Sequence, residues 1–400
     1  MRHSSANATF TTRRPSPVSV VGLGAVSGYG WGRKLLWEGL YSGQSADRRM
    51  PGFSPVFDDD WGWIAPIEEG GDPADGPSRY SRAVRFAARE AVHDALDRGW
   101  RPGPSVGFVQ GQTLGDVDMW MSFIRSGPEQ ITPRHWLGMM PSTTTMEVMR
   151  EFDFHGPTMS VTAMCASGIA ALLTAKMWID TGVATDVLVM ASDLSLTPEN
   201  CRAVTMLGPG VVDRTSFDVC RPFQEGSRGF VGGEASIAML VTSSGDPGYA
   251  AVLGGAMTHE GFHAVAIPPN APHVRRCMTD AIADAGLRPQ DIAYLNAYGN
   301  GNKLSDDAEL AVFDELLTEA EGLFAIKPLV GHCMSAAAAV EIMASLFGFV
   351  TGVIPAPPRL GRGHPKLLDG PTACVEGPVL KTAFGFGGHN AAVVLDAAAG

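Results

Sequence analysis

Short apolar runs and longer stretches of helical periodicity alternate along almost the whole chain. Apolar runs of strand length occur at residues 18–27, 105–113, 185–194, 234–242, 249–258 and 292–299. Apolar residues repeat at helical spacing over 33–43, 79–98, 272–287, 306–317 and 337–352. Because this alternation runs on both sides of position 245, the pattern predicts two α/β halves, each with a mostly parallel sheet. No sequence repeat relates the halves.

The predicted organisation is a disordered tail over 1–15, a first half over 16–245 and a second half over 246–400. Residues 119–142 fit neither period and predict an irregular apolar segment of the kind that lines pockets or dimer contacts. The C-terminal stretch 381–396 predicts a glycine turn followed by a strand.

Composition narrows the classes of function. The net charge of −12 and the lack of clustered Lys and Arg argue against a nucleic-acid partner. Six scattered cysteines show no metal-binding spacing and no disulfide framework, which favours a reducing cytoplasm. No signal peptide precedes Val18 and no stretch approaches the length of a membrane span, so no membrane association is expected.

One cysteine stands where a strand meets a helix. The apolar run Met159–Ala163 predicts a buried strand, and a helical repeat follows Cys165 as far as Gly182. Free N–H groups and the positive end of the helix dipole favour a thiolate at such a turn. A buried structural cysteine is the alternative, and the turn alone leaves both open.

Two other motifs are weak. The strand ending in Gly22 and Gly24 lacks the third glycine of a dinucleotide-binding turn. His259-Glu260-Gly261-Phe262-His263 fits the H-E-x-x-H zinc signature, but that signature needs a helix. Gly261 lies inside it and a predicted strand precedes it. We therefore expect neither a nucleotide cofactor nor a metal.

Five motifs in order give a far more specific signal. They are VVGLGAVSGYG from Val20, MSVTAMCASG around Cys165, RPFQEGSRGFVGGEA from Arg221, KPLVGH ending at His332, and FGFGGHN from Phe384. Together they resemble the β-ketoacyl synthases of the thiolase superfamily over nearly the whole chain. The resemblance implies a thiolase-like five-layered αβαβα fold of two related halves, and a homodimer or a heterodimer with another ketosynthase-like subunit.

The resemblance also implies roles for individual residues. Cys165 would take an acyl group as a thioester from an acyl carrier protein, and His332 would hydrogen-bond the carbonyl of the extender unit. Lys327 would lie near Glu341 and orient the base of the pocket. The backbone N–H groups of Cys165 and Phe384 would form the oxyanion hole, and Phe384 would gate the acyl channel. No cofactor and no metal are implied.

The chain departs from the family at one catalytic position. Where the family has the histidine of H-G-T-G-T, this sequence has Tyr298, although Asp306 and Glu309 match the acidic residues that follow. A phenol with a pKa near 10 does not replace imidazole as a neutral-pH acid or base. His389, in place of the family's threonine, would either substitute in part for the lost imidazole or pack against the turn.

Three functions remain open from the sequence. The first is an acyltransferase of polyketide or fatty-acid type that loads Cys165 and transfers or condenses the acyl group, with impaired decarboxylation. The second is a decarboxylative ketosynthase in which Tyr298 and His332 suffice. The third is a non-catalytic partner subunit that resembles a chain-length factor.

Overall fold

The structure is a computed structural model that describes residues 17–53, 61–211, 218–243 and 248–398. The predicted tail over 1–15 and the predicted boundary at 245 lie outside these residues. The described strands are β1 Val18–Ser27, β2 Gly30–Trp31, β3 Arg48–Pro51, β4 Trp61–Ile64, β5 Val106–Gly111, β6 Thr158–Val161, β7 Asp186–Asp193, β8 Ala235–Thr242, β9 Ala250–His259, β10 Tyr294–Asn296, β11 Gly322–Phe324, β12 Val353–Ile354, β13 Thr372–Ala373, β14 Val379–Gly385 and β15 His389–Ala397. The described α-helices are α1 Arg33–Ser42, α2 Arg79–Asp97, α3 Val117–Arg125, α4 Pro133–Gly138, α5 Pro141–Glu151, α6 Ser167–Asp180, α7 Pro198–Met206, α8 Pro272–Asp284, α9 Lys303–Leu316, α10 Lys327–Val330 and α11 Ala337–Thr351.

The strands form two half-sheets of identical order. The first half-sheet runs β1-β8-β7-β5-β6 and the second runs β9-β15-β14-β10-β11, and β1 pairs with β9 to join them. In each, the first two pairings are antiparallel and the last two are parallel. The two related halves are therefore confirmed, but the prediction of mostly parallel sheets was wrong. A strand before the C-terminal glycine turn was missed, and β14 and β15 form an antiparallel hairpin across it.

Helices fill the space between and outside the half-sheets. The central helix α6 is buried along most of its length and contacts strands of both half-sheets, as a helix that is apolar on all sides should. It packs on α11 so closely that a Cβ on Gly168 would lie 2.8 Å from the backbone nitrogen of Ala339. Outside, α2 covers β1 and β8, and α8 covers β9 and β15. This arrangement gives the five layers expected of a thiolase-like fold.

The glycines in β1 belong to this packing. A Cβ on Gly22 or Gly24 would collide with backbone carbonyl oxygens of α2, at Ala91 and Ala87 respectively. Both glycines therefore allow α2 to lie directly on the strand, which accounts for them without a nucleotide.

The expectation that no stretch approaches the length of a membrane span was wrong. The helical stretch Met334–Thr351 is long and apolar enough, by length and composition, to cross a membrane, with a mean hydropathy of 1.6 over 18 residues. However, 78% of that stretch is buried inside the protein. Its apolar character is that of a central layer packed between two sheets.

Two local predictions were wrong for identifiable reasons. Residues 119–142 form helices, because Asp116 and Thr132 cap α3 and α4 by accepting hydrogen bonds from backbone N–H groups three residues later. The strand before Cys165 is largely exposed, with Met159 46% accessible. It is exposed because β6 is the last strand at one edge of the sheet.

Candidate active site

The nucleophile candidate lies at a strained turn at the start of the central helix. Met164 has a φ of +51°, an unusual value for a residue with a side chain, and Cys165 follows in a single 3₁₀ turn before α6. The hydroxyl of Ser167 accepts a hydrogen bond from the backbone N–H of Ala163 at 2.9 Å and donates to the carbonyl of Met164 at 2.7 Å. These bonds fix the turn, and the thiol of Cys165 is buried at 5% exposure.

The glycine-rich turn after β14 lies against this cysteine. A Cβ on Gly385 would lie 2.5 Å from the carbonyl oxygen of Ala163 and 3.2 Å from the backbone nitrogen of Cys165. Only glycine permits this approach. The approach brings Phe386 close enough to the cysteine for its backbone N–H to lower the pKa of Cys165.

The expected backbone donor, Phe384, is therefore not the one at the sulfur. Phe384 lies inside β14, paired with Asn390 of β15, and its ring packs edge-on against Tyr298 with centroids 5.4 Å apart. Phe386 lies just beyond the strand end, where its N–H is free to point at the cysteine. The sequence could have indicated this, because Phe386 is the residue flanked by the glycines of the turn.

Tyr298 connects the cysteine to His332. Its hydroxyl lies 3.2 Å from Nε2 of His332 and accepts a hydrogen bond from Nδ2 of Asn300 at 3.4 Å. The interaction of this hydroxyl with the Cys165 thiol lowers the pKa of the cysteine. The tyrosine is 2% exposed and follows the end of β10. Tyr298 thus interacts with both the nucleophile candidate and His332.

The direction of this hydrogen-bond chain follows from the histidine. The backbone N–H of Met334 donates to Nδ1 of His332 at 3.1 Å, so Nδ1 carries a lone pair and the proton is assigned to Nε2. Nε2–H then donates to the Tyr298 oxygen, which leaves the phenol proton for a partner other than His332. The ring is held further by Phe230, which packs against it with centroids 4.6 Å apart.

Burial dominates the electrostatics of these three groups. It raises the pKa of Cys165 above its usual value, although the Tyr298 hydroxyl, the charge of Lys327 and the Phe386 N–H each lower it. The expectation that the turn favours thiolate is thus outweighed by desolvation. Burial also raises the pKa of Tyr298 well above its usual value, and burial with the nearby lysines lowers the pKa of His332 well below its own.

The two acidic residues after the tyrosine hold its turn. Glu309 accepts hydrogen bonds from the backbone N–H groups of Tyr298 and Gly299, both at 2.9 Å. Asp306 accepts from the backbone N–H of Asn300 at 3.1 Å. Burial raises the pKa of both, to about 7 for Asp306. Their place is structural support for the loop that carries Tyr298.

Beneath the tyrosine lies a buried ion cluster. Nζ of Lys327 bonds Oε1 of Glu341 at 2.5 Å and donates to the carbonyl of Tyr298. Lys381, which was not anticipated from the sequence, bonds the other oxygen of Glu341 at 2.7 Å. The sequence did contain a signal for Lys381: it is a lysine within an apolar run that leads into a glycine turn.

The remaining histidines lie apart from this chain. His389 packs edge-on against His259 with centroids 5.2 Å apart, and no hydrogen bond among the described residues joins it to Tyr298 or Cys165. The segment from His259 to His263 is not helical: β9 ends at His259 and Gly261 has a φ of +57°. Its two imidazoles therefore do not share a helix face, and no group of three His, Cys, Asp or Glu in the described residues could hold a metal ion.

The chain matches two models of one protein family. The model described as the N-terminal domain of β-ketoacyl synthase matches residues 71–245, and the C-terminal domain model matches residues 249–360. Relatives include the tetracenomycin polyketide synthase ketoacyl synthase alpha subunit of Streptomyces glaucescens, 29% identical over 96% of this chain and 98% of the relative. A 3-oxoacyl-[acyl-carrier-protein] synthase 2 of Rhizobium meliloti is 28% identical over 94% of this chain and 98% of its own.

Solved structures share the fold at lower identity. A ketosynthase crystallised with its type II polyketide acyl carrier protein superposes with a TM-score of 0.83 at 21% identity, covering 96% of this chain and all of that one. A ketosynthase in complex with its chain length factor from Xenorhabdus doucetiae gives 0.82 at 20% identity, covering 98% and 100%. Fold, motif order and family models agree: the chain belongs to the β-ketoacyl synthase family of the thiolase superfamily.

Proposed function

We propose that this protein is a ketosynthase-like acyltransferase with impaired decarboxylation. It takes an acyl group from a carrier-protein thioester onto Cys165, then transfers or condenses it in a polyketide or fatty-acid type pathway. The observation that carries the proposal is the Tyr298 hydroxyl, which accepts a hydrogen bond from Nε2–H of His332 at 3.2 Å and interacts with the Cys165 thiol.

Loading needs little more than the groups already at the sulfur. The Cys165 thiolate attacks the thioester carbonyl, and the C–S bond to the carrier breaks so that the carrier thiol leaves and takes up a proton. Backbone N–H groups of Cys165 and Phe386 would hold the tetrahedral oxyanion. Phe386, in the turn, is also a better candidate for a gate than Phe384, which is buried inside β14.

Decarboxylation needs two donors on the enolate oxygen of the extender unit. In the structure Nε2–H of His332 donates to the Tyr298 oxygen, so the two groups that would hold the enolate are bonded to each other rather than open to the substrate. With its pKa raised by burial, the phenol does not release its proton at neutral pH. Losing one such donor costs about a hundredfold in rate.

A cavity beside the site supports an apolar acyl group. It has a volume of about 130 Å³ and is lined mainly by apolar side chains. Phe230 and Met334 separate it from His332 and belong to its wall. We propose that this cavity accepts the acyl chain.

The exposed edge of the sheet supports a dimer. The unpaired side of β6 is accessible, with Thr158, Met159 and Ser160 all exposed. We propose pairing there with a second copy or with another ketosynthase-like subunit, and an acyl carrier protein as the donor partner. Light scattering should give a dimer alone or on mixing with that subunit, and a chain that stays monomeric under both conditions contradicts this part.

Intact mass spectrometry tests the acyl-enzyme. After incubation with acyl-carrier donors, the native protein should gain one acyl group and Cys165→Ala none. Cys201→Ala is the matched control, because that thiol is also buried and lines the neighbouring cavity, and burial raises its pKa to about 12. An adduct on Cys165→Ala contradicts the proposal. No adduct with any donor favours the chain-length-factor-like subunit.

A further inference from the structure

Lys381 is a fully buried lysine beneath the candidate active site. It lies in β14, with a side chain of zero exposure. Its Nζ is 2.7 Å from Oε2 of Glu341 and donates a hydrogen bond to the carbonyl of Ala297 at 3.0 Å. A buried ammonium is rare without partners, and both partners here belong to the neighbourhood of Tyr298.

Lys381 and Lys327 form a matched pair around one carboxylate. Each lysine binds one oxygen of Glu341, and each donates to one of two consecutive carbonyls, Ala297 for Lys381 and Tyr298 for Lys327. Lys327 also lies 4.2 Å from the centroid of the Tyr298 ring. We name these two lysines with Glu341 the lysine clamp.

Thr382, the residue after Lys381, binds the backbone N–H of Tyr298. The hydroxyl of Thr382 accepts a hydrogen bond from the backbone N–H of Tyr298 at 3.2 Å and donates to Glu309 at 2.6 Å. The peptide group between Ala297 and Tyr298 is therefore anchored to β14 at both its carbonyl and its N–H, and Lys327 of α10 holds the Tyr298 carbonyl. A tyrosine side chain held in this way has a fixed hydroxyl position.

We propose that Lys381 is a positioning residue, which holds the Ala297–Tyr298 backbone so that the Tyr298 hydroxyl stays 3.2 Å from Nε2 of His332 and beside the Cys165 thiol. The lysine touches neither the sulfur nor a substrate, and it acts through Tyr298. This inference rests on the proposed function only in taking Cys165 as the reacting atom.

The charges around Lys381 make the clamp sensitive to pH. It faces Glu341 from α11, Lys327 from α10, Glu309 from α9, and His332. Burial and the charge of Lys327 lower the pKa of Lys381 to about 8, although Glu341 opposes this. Below that pH the lysine is an ammonium and the clamp is complete; above it the ion pair to Glu341 is lost.

A purely structural role would stabilise the fold without acting on the cysteine. The two roles separate in a double-mutant cycle on the reactivity of the Cys165 thiol, which needs no acyl donor. Alkylation of Cys165 by iodoacetamide is followed by intact mass at pH 7.5 in native protein, Lys381→Met, Tyr298→Phe and the double variant. Lys176→Met is the matched control, because Lys176 is also buried and pairs with a carboxylate, Asp180 at 2.9 Å.

Tyr298→Phe should slow alkylation about fivefold to tenfold, the worth of one hydrogen bond of ordinary net strength. Lys381→Met should slow it by a similar factor, and should add nothing in the Tyr298→Phe background. Lys176→Met should leave the rate unchanged. Independent, multiplicative effects of Lys381→Met and Tyr298→Phe overturn the proposal, as does a native rate in Lys381→Met.

Lys381→Arg keeps the test valid if Lys381→Met does not fold. Its guanidinium stays charged at every pH used. In the native protein, the rise of the alkylation rate with pH should flatten above about pH 8, and in Lys381→Arg it should continue. The same flattening in both proteins overturns the proposal. Because no acyl donor is present, a failure of acyl transfer leaves this result readable.

Discussion

The two halves of the molecule build the same turn at the start of their central helices and use it for different purposes. In the first half, Met164 at φ +51° precedes Cys165 and α6. In the second half, Met334 at φ +41° precedes Ser335 and α11. Each turn is a single 3₁₀ turn, and its first residue is the methionine with positive φ.

The difference lies in the strand end that faces each turn. Cys165 faces the end of β14, where Gly385 lets the backbone approach and Phe386 offers an N–H. Ser335 faces the end of β7, where the carboxylate of Asp193 accepts from its backbone N–H at 3.1 Å and from its hydroxyl at 2.7 Å.

The comparison separates backbone geometry from chemistry. A left-handed residue costs on the order of 1–3 kcal/mol at each turn. In the second half, the buried carboxylate of Asp193 accepts hydrogen bonds from the backbone N–H and the hydroxyl of Ser335. This turn therefore has a structural role. In the first half, Gly385 faces the turn instead of a carboxylate, so the backbone N–H groups beside Cys165 stay available. The same turn can therefore present a nucleophile.

Filling the space at Gly385, beside the turn that carries Cys165, should have the largest effect on the rate of acylation. In Gly385→Ala the new Cβ would meet the carbonyl of Ala163 and the nitrogen of Cys165, so the turn must withdraw with its Phe386 N–H. We expect acylation of Cys165 to slow about a hundredfold, the worth of one oxyanion donor. Gly127→Ala, where nothing lies within 4 Å of the new Cβ, is the control. Equal rates in the two variants would contradict the role of Gly385.

The pH dependence of acylation should be the next largest effect. Because burial raises the pKa of Cys165, only a small fraction is thiolate at neutral pH, and that fraction grows as pH rises toward the pKa. We expect the single-turnover acylation rate to rise about tenfold per pH unit between pH 6 and 7.5, the slope of a thiol far below its pKa. A flat profile would mean that the thiolate is already formed.

The smallest effect tests the second turn. Ser335→Cys places a thiol at the position that matches Cys165, but the Asp193 carboxylate still occupies the backbone N–H there. We therefore expect intact mass to show one acyl group per chain, as in the native protein. Ser335→Ala serves as the control for loss of the hydroxyl. Two acyl groups on Ser335→Cys would show that the backbone turn alone suffices.

More of the fold than of the candidate site could be predicted from the sequence. Strand and helix periods located β1, α2 and α6 because each buries a continuous apolar face. Motif order located Cys165, His332 and the loop of Tyr298. The antiparallel hairpin and the exposed edge of β6 depend on long-range pairing, which periodicity does not record.

Two residues of the site could not be identified from the sequence pattern alone. Lys381 has meaning only because β14 places it beside Glu341, which is 40 residues away in sequence. Phe386 replaced Phe384 because the strand ends at Gly385, a boundary that sequence gives only to within a few residues. Contacts between elements, rather than residue types, decide both.

The central claim is that Tyr298 permits acylation and slows decarboxylation. Its most direct test compares carbon dioxide release from a malonyl carrier with acylation of Cys165, in the native protein, Tyr298→His and His332→Ala. We expect native acylation to exceed release about a hundredfold, Tyr298→His to raise release, and His332→Ala to remove the remainder. Native release as fast as acylation would contradict the claim and make the protein a decarboxylative ketosynthase that uses Tyr298.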